Sequence, residues 1–373
     1  MASDTIPTKY METDVLVVGG GIAGCPAAWK AAKNGLNVIM AEKSNPARSG
    51  SASCGIDHYG GFYKRGMTPK DWRAELDKFS DNMAYGMPRW ADPERVYRQY
   101  ANQEWAVEQL EEMGVTMKWT DGDYRPMECH HEGPFLRVHW HNVKPEMAKA
   151  VLKAGVNVLK RTMVVDLLTN QGTVVGATAI DTRTGDFIVI KAKAVVMATA
   201  QFMRLYVPPN HKYGMTFYEA CPASISGDGW AMVYRAGGEL ANMEQSMGEQ
   251  GFREGKCMSW GNHGNEGIQA KEYLGEGVEV PRAPRGEEPT DIKYLSLHHL
   301  PDDFKKRVEV CFLDERMVAF QISQDRGFDF RNHWFELAPV AMPGRLHMQP
   351  GIWVDRDMKA SLKGLYAAGD CVA

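Results

Sequence analysis

Three glycines and an acid at fixed spacing are the residues of this chain whose chemistry can be read first. Gly19, Gly21 and Gly24 fall in phase as GxGxxG, and Glu42 lies 18 residues beyond Gly24. That set suits a ligand with a pyrophosphate. Gly19 permits a tight turn, Gly21 lets the backbone approach the phosphates, and Gly24 lets the next helix lie close on its sheet. Ile22 and Ala23 open that helix, whose N-terminal N–H groups and positive dipole end face the phosphates. A carboxylate at Glu42 accepts from a ribose 2′-hydroxyl and disfavours a 2′-phosphate, which leaves FAD or NAD as the expected ligand and disfavours NADP.

Other reactive side chains are more scattered. Segment 43–67 is rich in glycine and serine, and Ser49, Gly50, Ser51 and Gly55 can run N–H groups and hydroxyls past phosphates and a ring system. Cys129, His130, His131, His139 and His141 lie close together. Their spacing matches no zinc signature and 136–141 alternates like a strand, so no metal is expected; His139 and His141 then share a face, where one can point at a cofactor or an anionic substrate. Arg253, Arg282, Arg285, Arg316 and Arg331 fall within one irregular stretch. Most are expected to be solvated or ion-paired, with one or two left to clamp an anion through paired hydrogen bonds.

Periodicity supplies the elements that position these groups. Residues 15–18 suit a buried parallel strand, 22–34 a helix with Pro26 in its first turn, and 37–41 a second strand. Helices are expected near 69–82, 92–113 and 144–154, all three as scaffold, the second capped by Asp92 with Pro93 at its first position. From 157 to 200 the pattern is β: strands at 157–161, 162–169, 174–181 and 187–192, then a separate buried strand at 194–200. In this β-meander the backbone of Val164 is expected at an adenine, and Ala198-Thr199-Ala200 leaves room for the nucleotide. Ser226-Gly227-Asp228-Gly229 starts another helix. Residues from about 245 to 343 read as loops with one helical span near 315–324, an inserted cap. Strands at 351–355 and 364–370 close the chain, and Asp370 after Gly369 can hold the ribityl chain of a flavin. The Ser49-Gly50 loop, the meander and Gly369-Asp370 together decide for FAD over NAD.

The expected fold class is α/β: a Rossmann-like FAD-binding domain, a parallel sheet with a β-meander, carrying an inserted α+β capping domain. Residues 1–245 form its first part, 246–343 the cap over the substrate, and 344–373 a return segment read as truncated. With 373 residues the chain is long enough for two domains. A net charge of −4 without an arginine-rich block argues against nucleic acid as a partner. No apolar run is long enough to span a bilayer, and the polar start lacks a signal-peptide core, so a cytoplasmic location is expected. Seven cysteines without a CxxC pair argue against an iron–sulfur cluster or structural zinc held by this chain and fit reduced thiols.

With these pieces assembled, the sequence resembles the flavoprotein family of fumarate reductases and succinate dehydrogenases. The match rests on DVLVVGGGIAG, Glu42-Lys43, Arg48-Ser49-Gly50, ISGDGWAMVYRAGGEL with Asn242-Met243-Glu244, and LKGLYAAGDC. Within the family it is most similar to the adenylylsulfate reductase α subunits, in Arg48-Ser49-Gly50 leading to Gly55-Ile56-Asp57 and in a histidine shortly before Gly351-Ile352-Trp353-Val354. The resemblance adds Lys43, Arg48 and Asp228 to the cofactor contacts. It implies an FAD-dependent oxidoreductase acting on a small anionic substrate at flavin N5. Respiratory members attach FAD through a histidine where this chain has Gly50, so the FAD is expected to be non-covalent. His347, in His347-Met348-Gln349-Pro350-Gly351, stands where the family has His-Thr-Met-Gly-Gly and is the candidate to orient or protonate substrate. Arg253 is the candidate substrate arginine, with His58 and His141 behind them. An iron–sulfur or other electron-transfer partner subunit is expected to deliver or receive the electrons. The alternative is a non-catalytic flavin-bearing subunit of a larger redox complex. Family members continue past Gly-Asp into a glycine-rich helix start, which this sequence does not contain.

Overall fold

Alternation along two strands explains the layering of the molecule. In the computed structural model, β1 (Thr8–Val18) and β2 (Val38–Glu42) pair in parallel, with Val15 opposite Val38 and Val18 opposite Ala41. Successive side chains leave opposite faces of a strand. Leu16, Val18, Ile39 and Ala41 therefore enter one core, while Val17, Val38 and Met40 enter another. Every residue of β2 is buried, as befits a parallel strand covered on both faces. Three helices close the second core: α1 (Gly24–Lys33), α2 (Gln103–Glu112) and α3 (Val143–Lys153), which contribute Cys25, Trp29, Val107, Leu110, Met147 and Val151. The structure describes residues 7–54, 58–59, 70–71, 98–99, 101–119, 121–125, 136–138, 142–202, 218–219, 224–244, 247–252, 257–258, 270–280, 293–306, 309, 324–325, 327–329, 331–342 and 350–373. The helix expected at 69–82 falls almost wholly outside them, as does the expected cap at Asp92-Pro93.

Next to β2 runs β3 (Asn157–Lys160), again parallel. The meander follows as β4 (Thr162–Asn170), β5 (Thr173–Asp181) and β6 (Phe187–Met197), each antiparallel to the next. Gln171 at φ 48° and Gly172 at φ 74° supply the left-handed pair of a type I′ hairpin between β4 and β5. The two strands expected at 187–192 and 194–200 are one element. β6 pairs with β1 along its whole length, from Phe187 opposite Thr8 to Met197 opposite Val18. Lys193 interrupts the apolar run in sequence but not the ladder, because its ammonium turns outward to Asp14, 2.7 Å away.

After β6 come α4 (Asp228–Arg235) and a second sheet. In it β7 (Met247–Phe252) pairs with β10 (Phe335–Met342), β10 with β9 (Tyr294–Ser296), and β9 with β8 (Lys271–Gly275), all antiparallel. This corrects the expectation of loops across 245–343; the helical span expected near 315–324 falls almost wholly outside the described residues. Two glycines in β7 and Pro339 in β10 weaken the period-two signal, so cross-strand pairing rather than local propensity makes these strands. The chain then returns. Gly351–Ile352, the strand portion of 351–355, pairs with Leu240–Ala241. β11 (Leu365–Ala367) joins the first sheet parallel to β6, Leu365 opposite Val195 and Ala367 opposite Met197. The free edge of β6 is thus shared: Phe187 to Lys191 face β5, and Val195 to Met197 face β11.

A short 3-10 turn, Gly369–Cys371, leaves β11 and buries Cys371 completely. Its thiol donates to the carbonyls of Met197 at 3.2 Å and Ala368 at 3.3 Å. Burial pushes its pKa from an ordinary 9.0 up to about 11. The unfolded thiol ionises first, so stability present below pH 9.0 is lost as the pH rises through about 11. A difference of about two units corresponds to about 3 kcal/mol at most. Denaturation of wild type and Cys371→Ala between pH 8 and 11 checks this: the wild type loses the more stability across the range, and parallel pH profiles refute it.

Candidate functional site

The carboxyl ends of β1, β2 and β6 open onto one groove, where a parallel sheet presents its loops to a ligand. Gly19 and Gly21 follow β1, Glu42 and Lys43 end β2, and Ala198, Thr199 and Ala200 follow β6; all line the groove. Arg48, Ser49 and Gly50 cover one side, with Val164 of β4 and Asp228 of α4 on the wall. Counting its open mouth and the solvent in it, the groove encloses about 720 Å³. Ile22, Ala23, Gly24, Ser51, Gly369 and Asp370 were also expected as contacts but are not among its lining residues. Gly55, His141, Arg253 and His347 lie outside the described residues. His58 belongs to a short strand, His58–Tyr59, paired with Leu136–Arg137. Of the five cap arginines, Arg331 pairs with Glu309, and the other four lie outside the described residues.

The three glycines of the motif are required for different reasons. A Cβ on Gly19, which sits at φ +100°, would lie 2.4 Å from the Ala198 carbonyl oxygen. One on Gly24 would lie 1.9 Å from the Gly19 oxygen and 3.2 Å from the Ala198 Cβ. These two positions let the loop, α1 and the end of β6 close upon one another. A Cβ on Gly21 would meet no protein atom within 4 Å. Protein packing does not demand glycine there, so the space beside it suits a ligand.

Glu42 is 5 % exposed, and its carboxylate accepts from the Gly20 N–H at 2.6 Å and the Ser44 N–H at 2.7 Å. The acid expected at a ribose therefore also fixes the glycine loop; each oxygen keeps a second lone pair. Lys43 reaches across to Asp228, Nζ to Oδ2 at 2.5 Å, while Ser226 Oγ holds the other Asp228 oxygen at 2.7 Å. Among the described residues Thr199 Oγ1 is buried without a partner, and Ala200 adopts φ +58°, a conformation that costs a non-glycine residue about 1–2 kcal/mol. At the far end, a Cβ on Gly369 would lie 2.6 Å from the Ala23 Cβ, so the returning segment abuts the start of α1. Protein crowds Asp370 and raises its carboxyl pKa, although the residue keeps an exposed surface.

One residue at the loop escaped sequence reasoning. Lys144 of α3, a helix expected only as scaffold, is 1 % exposed and reaches the Gly20 carbonyl at 2.5 Å. The signal was its position: Lys144 shares the buried stripe of Met147, Ala148 and Val151, where a lysine needs a partner.

A glycine cradle, a fixed acid and a strand-end groove define a dinucleotide-binding protein, and the comparisons make the dinucleotide FAD. Residues 14–247, more than half of the chain, match the family described as FAD binding domain. The chain belongs to that family, as its motifs led us to expect; it is an FAD-dependent oxidoreductase with relatives among the fumarate reductases and L-aspartate oxidases. It is 24% identical to a fumarate reductase (CoM/CoB) subunit of Methanothermobacter marburgensis, over 97% of this chain and 68% of that protein. It is 26% identical to the L-aspartate oxidase of Halobacterium salinarum, over 98% and 70% respectively. Its fold matches adenylylsulfate reductase of Archaeoglobus fulgidus with a TM-score of 0.73 at 23% identity, covering 99% of this chain and 66% of that one. The chain thus spans about two thirds of the length of these relatives. Among the described residues, no helix is long and apolar enough to cross a membrane.

Proposed function

We propose that this chain holds FAD non-covalently in the groove and exchanges electrons between it and a small anionic substrate. A fumarate-like dicarboxylate comes first and an adenylylsulfate-like anion second. The observation that carries this reading is the Gly21 cradle, open to a ligand and enclosed by tightly packed glycines on either side. Bound FAD supplies the two-electron redox chemistry. The Gly21 backbone and the start of α1 at Ile22 and Ala23 would face its diphosphate. Glu42 would accept from the ribose, Val164 would meet the adenine, and Lys43, Asp228, Arg48, Ser49, Ser51 and Gly55 would run along the rest. Asp370 would take the ribityl chain. Glycine at position 50 offers no side chain for attachment. His347 would orient or protonate the substrate, and Arg253 would clamp its charge, supported by His58 and His141.

Residues 246–343 would cap the substrate and the remainder would bind FAD; the return of β11 to the first sheet and the gathering of β7 to β10 into a second support this division. Fumarate and aspartate, named in two relatives, are both four-carbon dicarboxylates. One of those relatives is by name part of a multi-subunit enzyme. With no CxxC pair in this chain, an iron–sulfur partner would relay the electrons. The free buried thiols of Cys25 and Cys371 suit the reducing cytoplasm.

The test is anaerobic. The FAD-loaded protein is reduced and mixed with fumarate, adenylylsulfate or buffer while the visible flavin absorbance is followed. Reoxidation by one of the two anions is expected. His347→Ala should slow it by about 10²-fold or more with FAD content unchanged. If neither anion reoxidises the protein and only a ferredoxin-like partner does, the chain is an electron-transfer subunit. Unchanged turnover in His347→Ala would remove that residue from the site.

A further inference from the structure

Beneath the glycine loop, polar side chains from three elements converge on the backbone of Gly20. Its N–H donates to Glu42 Oε2 at 2.6 Å. Its carbonyl accepts from Lys144 Nζ at 2.5 Å, Ser49 Oγ at 2.9 Å and Cys25 Sγ at 3.2 Å. Glu42, Ser49, Cys25 and Lys144 are all buried. A lysine so enclosed is rare and costly. Burial pushes its pKa below the ordinary lysine value, against opposing pulls from Cys25 and Glu42. Enclosing its ammonium costs desolvation that packing alone does not offset, so Lys144 calls for a reason other than packing.

Peptide geometry supplies the reason. In a planar trans peptide the C=O of one residue and the N–H of the next point in opposite directions. Drawing the Gly20 carbonyl down toward α3 turns the Gly21 N–H the other way. Gly21 lines the groove, and among the described residues its N–H has no protein acceptor. Without Lys144 the carbonyl keeps two weaker, uncharged donors, and rotation of this peptide becomes easier. A ring of backbone N–H groups binds phosphate well only when already aimed at it.

We propose that Lys144 is the positioning residue of the dinucleotide loop, holding the Gly20 carbonyl inward so that the Gly21 N–H is presented to the diphosphate of FAD. The inference rests on FAD occupying this groove but not on the choice of substrate. It predicts that Lys144 acts on phosphate-bearing ligands alone.

The experiment uses the apo form of the full chain as wild type, Lys144→Met and Lys144→Gln. FAD and ADP binding are measured by calorimetry, adenosine binding by NMR titration, and apo stability by thermal denaturation. Lys144→Met should weaken FAD and ADP by about 10- to 100-fold, the range of one charge-assisted hydrogen bond. Adenosine affinity should stay within about twofold, and the apo protein should remain folded, the Gly20 carbonyl keeping Ser49 and Cys25 as donors. Lys144→Gln, which keeps a neutral donor, should recover part of the loss. Unchanged FAD affinity in Lys144→Met would overturn the proposal, as would equal losses for FAD and adenosine or a collapse of apo stability in both variants. A wild type that binds adenosine and ADP but not FAD would instead remove the FAD premise, and the proposal with it.

Discussion

Gly24→Ala is expected to yield a protein that retains no FAD through purification. The added Cβ would sit 1.9 Å from the Gly19 carbonyl oxygen and 3.0 Å from its carbon. Both are backbone atoms of a loop that is itself pressed against Ala198, so no side chain can swing aside. Either α1 withdraws from the sheet or the loop moves outward, and each displaces the phosphate-facing backbone by an ångström or more. Overpacking of this kind costs about 1–3 kcal/mol, and affinity for FAD should fall more than about 100-fold because the aimed N–H groups are lost together. Gly21→Ala supplies the contrast. Its Cβ meets no protein atom within 4 Å, so apo stability should hold while FAD binding fails. The flavin-to-protein absorbance ratio and the melting temperature of the two variants read this out. A Gly24→Ala protein with wild-type FAD content would show that α1 yields far more readily than its contacts imply.

Glu42→Ala should be the most damaging single change to the apo protein among the groove residues. It strips the acceptor from the Gly20 and Ser44 N–H groups at once and removes a carboxylate that favours the charge on buried Lys144. Each orphaned buried donor costs about 1–3 kcal/mol, giving roughly 2–6 kcal/mol for the two. Glu42→Gln keeps one acceptor oxygen but turns an NH₂ toward a backbone N–H, so it should recover only part. Urea denaturation of the apo forms decides. A loss below about 1 kcal/mol for Glu42→Ala would mean that water replaces the carboxylate without penalty.

The first strand–loop–helix–strand unit was legible because its signals are local. GxGxxG in phase, an apolar run of the right length and an acid at the end of β2 each constrain a few neighbouring residues. The β4–β5 hairpin was legible for the same reason, since Gln171-Gly172 specifies its own turn. What failed were features made by partners distant in sequence. Lys193 seemed to divide β6 because Asp14, which draws it outward, lies in another strand. β7 and β10 are strands through mutual pairing despite glycine and proline. Lys144 went unnamed within an expected scaffold helix because the carbonyl it serves lies in the loop after β1. Of the candidate site, Gly19, Glu42, Ser49, Val164, Thr199 and Asp228 could be named from sequence, whereas Thr162, Met163 and Ile225, which line the same groove, were not. The residues proposed for chemistry, His347, Arg253 and His141, lie outside the described residues.

The shared edge of β6 has a consequence for biogenesis. Val195 waits for Leu365, a partner about 170 residues later in the chain. At roughly 5–20 residues per second of synthesis, that half of the strand remains an unpaired edge for on the order of ten to thirty seconds. Such an edge invites pairing with other chains, and a topology this non-local folds slowly. The wall formed by Ala198 and Thr199 stands directly beyond this late pair. The strand end that carries part of the FAD groove is therefore braced by residues made long after the rest of that groove.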